Sequence, residues 1–210
     1  YRPNSGSVKF DGQDVTSLRP NDRADMGMGR TFQNLALFGH MSVLDNIMVG
    51  RHHQLKNNWI TGPLYWLSNA QNEEIAHRRK VEEIIDFLEI SHIRKSTAGT
   101  LSYGLRKRVE LARAMALNPK LILLDEPMAG MNLEEKEDMA RYILDLNEEF
   151  GITVVMIEHD MGVVMDISHE VMVLDFGKKL ICGLPDEVMA DPHVRSAYLG
   201  IEDDEIEEAV

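Results

Sequence analysis

The chain has 210 residues and a formal net charge of −13, from 22 basic and 35 acidic side chains. With 44% hydrophobic residues it can bury a substantial core, which excludes disorder across most of its length. The acidic balance excludes a nucleic-acid binder that works by bulk positive charge. The single cysteine, Cys182, excludes an internal disulfide.

The first half of the chain is predicted to be mainly helical beyond residue 40. A weakly alternating strand at residues 7–10 comes first. A short helix is predicted from Ser42 to Gly50, with Ser42 as its N-cap. After residues 57–70, which hold both tryptophans, apolar residues at spacings of three and four predict an amphipathic helix from Glu73 to Glu89.

Strands and helices alternate in the second half of the chain. The predicted elements are a helix that follows Leu101-Ser102-Tyr103-Gly104, a doubly buried strand at Leu121 to Leu124, a helix from Leu133 to Phe150, a buried strand at Ile152 to Ile157, and a hairpin around Phe176-Gly177. This order predicts an α/β fold with a mostly parallel sheet and helices packed on it.

Two of these strands end in charged residues. Asp125 and Glu126 follow the first strand, and Glu158-His159-Asp160 follows the second. Ligands collect at the carboxyl ends of parallel strands, so Asp125 is placed to hold Mg²⁺ through its water shell, and Glu126 to orient or deprotonate a water. His159 could hydrogen-bond a terminal phosphate. The alternative is two solvated carboxylates and a core histidine.

A phosphate site is also predicted where the helix after Leu101 begins. Ser102 and the amide of Gly104 would lie at the N-terminus of this helix, and such N-termini favour anions. This helix leads directly into the strand that ends at Asp125.

The order of these pieces resembles the ATP-binding-cassette (ABC) ATPase family. The similar segments are Thr31-Phe32-Gln33-Asn34 for its Q-loop, Leu101 to Leu105 for its signature motif, Leu121 to Pro127 for its Walker B strand and catalytic glutamate, Ala129 to Asn132 for its D-loop, and Glu158-His159-Asp160 for its switch histidine. Finer features resemble the ATP-binding subunits of branched-chain amino-acid importers. Among these are Ala129 to Asn132, with Asn132 in place of Asp, and the aromatic insert at 57–70.

The resemblance implies ATP and Mg²⁺ as ligands and ATP hydrolysis as the activity. Asp125 and Gln33 would bind the metal. Glu126 and His159 would be the catalytic residues for the nucleotide that this chain itself binds. Ser102 and Gly104, with Asn132 nearby, would complete the site of a second ABC subunit in a head-to-tail dimer. Leu105 stands where the family usually has Gln, so we expect two unequal sites in a heterodimer.

The resemblance also divides the chain. Residues 1–40 would be the remainder of the N-terminal nucleotide-binding core, 41–117 a helical subdomain, 118–200 the RecA-like core, and 201–210 an acidic tail. Integral-membrane permease subunits would bind the helical subdomain. The protein would therefore be a peripheral protein on the cytoplasmic face of the inner membrane. The aromatic insert would either pack within that subdomain or contact those subunits.

The phosphate loop is the one major departure from the family. No G-x-x-x-x-G-K-[ST] motif occurs in the 210 residues, so the loop with its strand and helix is missing. Tyr1 to Gly6 resembles the sequence shortly after that helix, so we expect a truncated piece of a complete cassette, inactive alone.

Three alternatives stay open at this point. The chain could belong to a urea or amide importer or a lipopolysaccharide exporter, or be a catalytically silent partner subunit. A soluble ABC protein acting on ribosomes or DNA would usually carry tandem cassettes or basic linkers, and neither is visible.

Overall fold

The computed structural model describes residues 3–31, 36–54 and 70–196. The aromatic insert, apart from the backbone of Ala70, and the acidic tail lie outside the described residues. The chain divides into two compact units, Tyr1–Ile157 and Glu158–Val210. Within the part of the chain that is described, no helix is both long and apolar enough to cross a membrane.

The first unit contains a three-stranded parallel sheet in the order β3-β4-β5. Its strands are β3 (Met28–Arg30), β4 (Leu121–Asp125) and β5 (Thr153–Ile157), and a small antiparallel pair precedes them, β1 (Lys9–Phe10) with β2 (Gln13–Asp14). The predicted parallel sheet is confirmed.

Strands β4 and β5, which were both predicted to be buried, differ in how far they are exposed. The prediction that β4 is buried on both faces is confirmed for one face only, since Ile122 and Leu124 are buried while Leu121 and Leu123 are half-buried. The prediction that β5 is buried is wrong, because Val155 is 50% and Ile157 65% exposed. Among the described strands β5 pairs only with β4, so it is an edge strand, and an edge strand lacks the cover that a central parallel strand has.

The described residues of the first unit also form five α-helices. They are α1 (Pro20–Asp25), α2 (Val43–Val49), α3 (Ala70–Phe87), α4 (Tyr103–Met115) and α5 (Leu133–Glu148). The predicted cap of α2 is confirmed, since the hydroxyl of Ser42 accepts a hydrogen bond from the Asp45 amide at 3.1 Å. Among the described residues from 41 to 117 lie α2, α3 and α4, and the helical subdomain at 41–117 stays a prediction.

A buried polar network joins three of these helices. The Arg51 guanidinium donates from Nε to Nδ1 of His77 on α3 at 2.8 Å, and from Nη1 to the carbonyl of Ala116 after α4 at 3.0 Å. Both side chains are buried. His77 must be neutral at Nδ1 to accept this bond, so the network depends on its protonation state.

We expect this network to make stability depend on pH. Burial lowers the pKa of His77 from 6.5, and the Arg51 charge lowers it further, against the opposing effect of Glu73. At acid pH the unfolded chain then binds more protons than the folded one. His77 therefore does not lower the free energy of unfolding above pH 6.5, and this free energy falls as the pH drops from 6.5 towards the lowered pKa.

Urea unfolding at pH 8 and pH 5.5 checks this expectation. The His77→Gln variant keeps an acceptor for Arg51 but does not titrate, so its free energy of unfolding should fall less on acidification than that of the wild type. Equal falls in the two proteins would contradict the assignment.

The second unit contains the predicted hairpin. Strand β6 (Val171–Asp175) pairs antiparallel with β7 (Lys178–Gly183) around Phe176 and Gly177, which is confirmed. Up to residue 196, where the described part of this unit ends, the helices are α6 (Met161–Ile167), α7 (Pro185–Ala190) and α8 (Pro192–Val194). Val171 and Val173 form a small core with Val188 and Val194.

Candidate functional site

Asp125 ends β4 at the carboxyl edge of the sheet, opposite Ile157 of β5. Its amide donates to Oγ1 of Thr31, which follows β3, at 3.4 Å. Its carboxylate accepts from Nη2 of Arg30 at 3.4 Å, and the side chain is 29% exposed. The carboxylate is therefore at a strand end, accessible, and held by a cation from the neighbouring strand.

Glu126 leaves the strand in a strained conformation. Its φ of 45° lies in the left-handed region, which residues with a side chain rarely adopt. Its amide still donates to the carbonyl of Ile157 at 3.0 Å, so the turn begins immediately after the last ladder bond. Strain of this kind, maintained by surrounding contacts, is common at functional sites.

The N-terminus of α4 is built as the sequence predicts. The Ser102 hydroxyl caps the helix by accepting from the Leu105 amide at 3.4 Å, and Ser102 itself is exposed. Gly104 is buried, and a Cβ at this position would overlap the carboxylate of Glu135 on α5. The Glu135 carboxylate therefore lies directly against Gly104 at the start of α4, and a larger residue at position 104 would displace it.

Asn132 caps α5 in a reciprocal capping box. Its side chain accepts from the Glu135 amide at 2.9 Å, and the Glu135 carboxylate accepts from the Asn132 amide at 3.2 Å. Glu135 therefore contacts both Asn132 and the α4 terminus, a role that the sequence analysis missed. The Asn-x-x-Glu spacing of a capping box was the signal available for it.

For the other two predicted site residues, His159 and Gln33, a place beside Asp125 and Glu126 stays a prediction. His159 lies in the second unit, two residues after β5, and its placement relative to Glu126 stays a prediction. Its side chain is 70% exposed, so the alternative of a core histidine is wrong. Gln33 lies outside the described residues.

The donor set suits a magnesium ion that is held mainly by phosphates and water. No group of three or more His, Cys, Asp or Glu side chains with metal-site geometry occurs among residues 3–31, 36–54 and 70–196. A single accessible carboxylate such as Asp125 is what Mg²⁺ uses when a nucleotide supplies the other ligands. The described residues therefore fit a Mg²⁺ ion that binds together with a nucleotide.

Comparison with known sequences gives a consistent result. The profile of the family described as "ABC transporter" matches residues 1–129, and that of "Branched-chain amino acid ATP-binding cassette transporter" matches residues 178–204. The chain is 36% identical over 204 residues to the branched-chain amino acid transport protein BraF of Pseudomonas aeruginosa, covering 95% of this chain and 78% of BraF. It is 37% identical to LivG of Escherichia coli K12, again covering 95% and 78%.

More distant relatives have other substrates in their names. The lipopolysaccharide export protein LptB of Haemophilus influenzae is 34% identical over 199 residues, which cover 95% of this chain and 76% of LptB.

Solved structures agree with the fold. A nucleotide-free ATP-binding cassette from an ABC transporter aligns with a TM-score of 0.78 and 29% identity, covering 96% of this chain and 79% of that one. The ADP form of the cassette MJ1267 aligns with a TM-score of 0.76 and 30% identity, covering 94% and 78%.

Proposed function

Because the chain belongs to the ABC transporter ATPase family, we propose that it is the ATP-hydrolysing, energy-coupling subunit of a branched-chain amino-acid importer. The observation that carries the substrate class is the match of residues 178–204 to the branched-chain amino-acid transporter profile. The names of BraF and LivG point to the same class.

The places of Asp125 and Glu126 at the carboxyl end of β4 support roles for both residues at the nucleotide, and the family resemblance adds His159 and Gln33. Asp125 would hold Mg²⁺ through water, and the ion would neutralise charge on the phosphates. Glu126 would orient or deprotonate the attacking water from the turn after β4. His159 would donate a hydrogen bond to the terminal phosphate, and Gln33 would link the metal site to the helical subdomain.

A second ABC subunit would complete the reaction centre. The exposed Ser102 and the amides at the start of α4 are suited to a phosphate of the partner's nucleotide, in a head-to-tail arrangement with Asn132 near the interface. The half-buried Leu105 offers no carboxamide there, which favours a heterodimer with two unequal sites. Permease subunits would bind the helical subdomain at the cytoplasmic face of the inner membrane.

Uptake by membrane vesicles tests this proposal. Vesicles containing the protein from its natural reading frame, with its neighbouring permease subunits, should take up labelled leucine, isoleucine and valine only when ATP is present on the protein's side. ATP-dependent urea uptake or extraction of lipopolysaccharide, without uptake of these amino acids, would overturn the substrate class. The similarity to LptB makes lipopolysaccharide export the second candidate.

A further inference from the structure

Lys107 carries a buried charge that the proposed roles do not use. It lies one turn into α4 and is 4% exposed. Removing an ammonium group from water is costly unless polar partners hold it. Its Nζ donates to the backbone carbonyl of Glu126 at 3.1 Å.

The carbonyl that Lys107 contacts belongs to the strained residue at the end of β4. Glu126 has a φ of 45°, and its amide is held by Ile157. Its carbonyl also accepts a weaker bond from the Ala129 amide at 3.3 Å, within the following turn. Lys107 therefore holds this peptide with a side chain that comes from outside both the strand and the turn.

The surroundings of Lys107 join it to the rest of the site. Glu110, also buried at 2% exposure, lies one helical turn further along α4 and lines the same small cavity. Thr31, whose Oγ1 accepts a hydrogen bond from the Asp125 amide, lines this cavity too. The Tyr103 ring lies 5.8 Å from the Lys107 ammonium. The lysine is thus enclosed between the start of α4 and the carboxyl end of β4.

We infer that Lys107 is a positioning residue for Glu126: its ammonium holds the left-handed peptide and so directs the carboxylate that activates water. The inference rests on the proposed role of Glu126 in ATP hydrolysis. Without this bond the peptide can relax from the left-handed region, and the carboxylate then moves away from the place where it is needed. A displacement of about 1 Å can lower a rate by about a hundredfold.

Steady-state ATP hydrolysis by the assembled transporter tests the inference. Lys107→Met should lower kcat by about tenfold to a hundredfold and leave the KM for ATP within about twofold, because no contact with nucleotide is removed. Lys107→Arg, which keeps a charged donor, should recover most of the rate. Lys120→Met, which removes an exposed lysine paired with Asp11, is the matched control and should have the wild-type rate.

A double variant separates positioning from general loss of structure. In a Glu126→Gln background, Lys107→Met should cause no further fall in kcat, because the carboxylate that it positions is already gone. If Lys107→Met does not fold, Lys107→Gln, whose shorter uncharged side chain reaches the Glu126 carbonyl less well, should show a smaller fall in kcat that is likewise absent in the Glu126→Gln background.

Two negative results are distinguishable. A wild-type kcat in the Lys107 variants, or an additive loss in the Glu126→Gln background, would overturn the positioning role alone. Absence of ATP hydrolysis by the wild-type transporter would overturn the proposed function, and the inference with it.

Discussion

Replacement of Glu126 by Gln should lower ATP hydrolysis by the assembled transporter by about a hundredfold or more, while ATP binding persists. The amide has nearly the shape of the carboxylate but cannot accept a proton from water. The backbone contacts of residue 126 with Ile157 and Lys107 do not involve the side chain, so the turn after β4 should keep its form. Phosphate release and binding of labelled ATP measure the two effects separately.

Glu149→Gln is the matched control for this experiment. Glu149 is exposed at the end of α5, and its loss should leave hydrolysis unchanged. A wild-type rate in Glu126→Gln would show that this chain is a silent partner subunit whose neighbour performs hydrolysis.

Residues 1–210 alone should bind ATP no more tightly than about a millimolar Kd. The β and γ phosphates of a bound nucleotide are held in this family by the backbone amides and lysine of a phosphate loop, and no such motif occurs in these residues.

Isothermal titration calorimetry with MgATP measures this affinity. Escherichia coli LivG, a relative of 37% identity, is the reference protein under the same conditions. A micromolar Kd for residues 1–210 would contradict the expectation and show a different mode of phosphate binding.

Local signals in the sequence predicted the elements that depend on neighbouring residues. The cap of α4 at Ser102 and the hairpin at Phe176-Gly177 follow from short-range chemistry, and both are confirmed. The β4 strand follows from its apolar run because that run is long enough to need burial. The start of α4 places Ser102 in the candidate site, and the end of β4 places Asp125 there.

Features that depend on tertiary packing were not predicted. The exposure of β5 depends on which strands lie beside it, which an apolar run does not reveal. The left-handed peptide of Glu126 and its contact with Lys107 join residues 19 positions apart, and the Arg51–His77 bond spans 26. The Asn-x-x-Glu spacing could have identified Glu135 as half of a capping box. No sequence pattern could have predicted that its side chain lies against Gly104.

A crystal structure of the protein from its natural reading frame, with a non-hydrolysable ATP analogue and Mg²⁺, tests the roles of Asp125, Glu126 and His159 together. We expect Asp125 to bond a water of the magnesium ion. We also expect the Glu126 carboxylate to lie within hydrogen-bond reach of a water in line with the γ-phosphate, and His159 to contact that phosphate. A Glu126 carboxylate directed away from the γ-phosphate, or His159 remote from it, would contradict these roles.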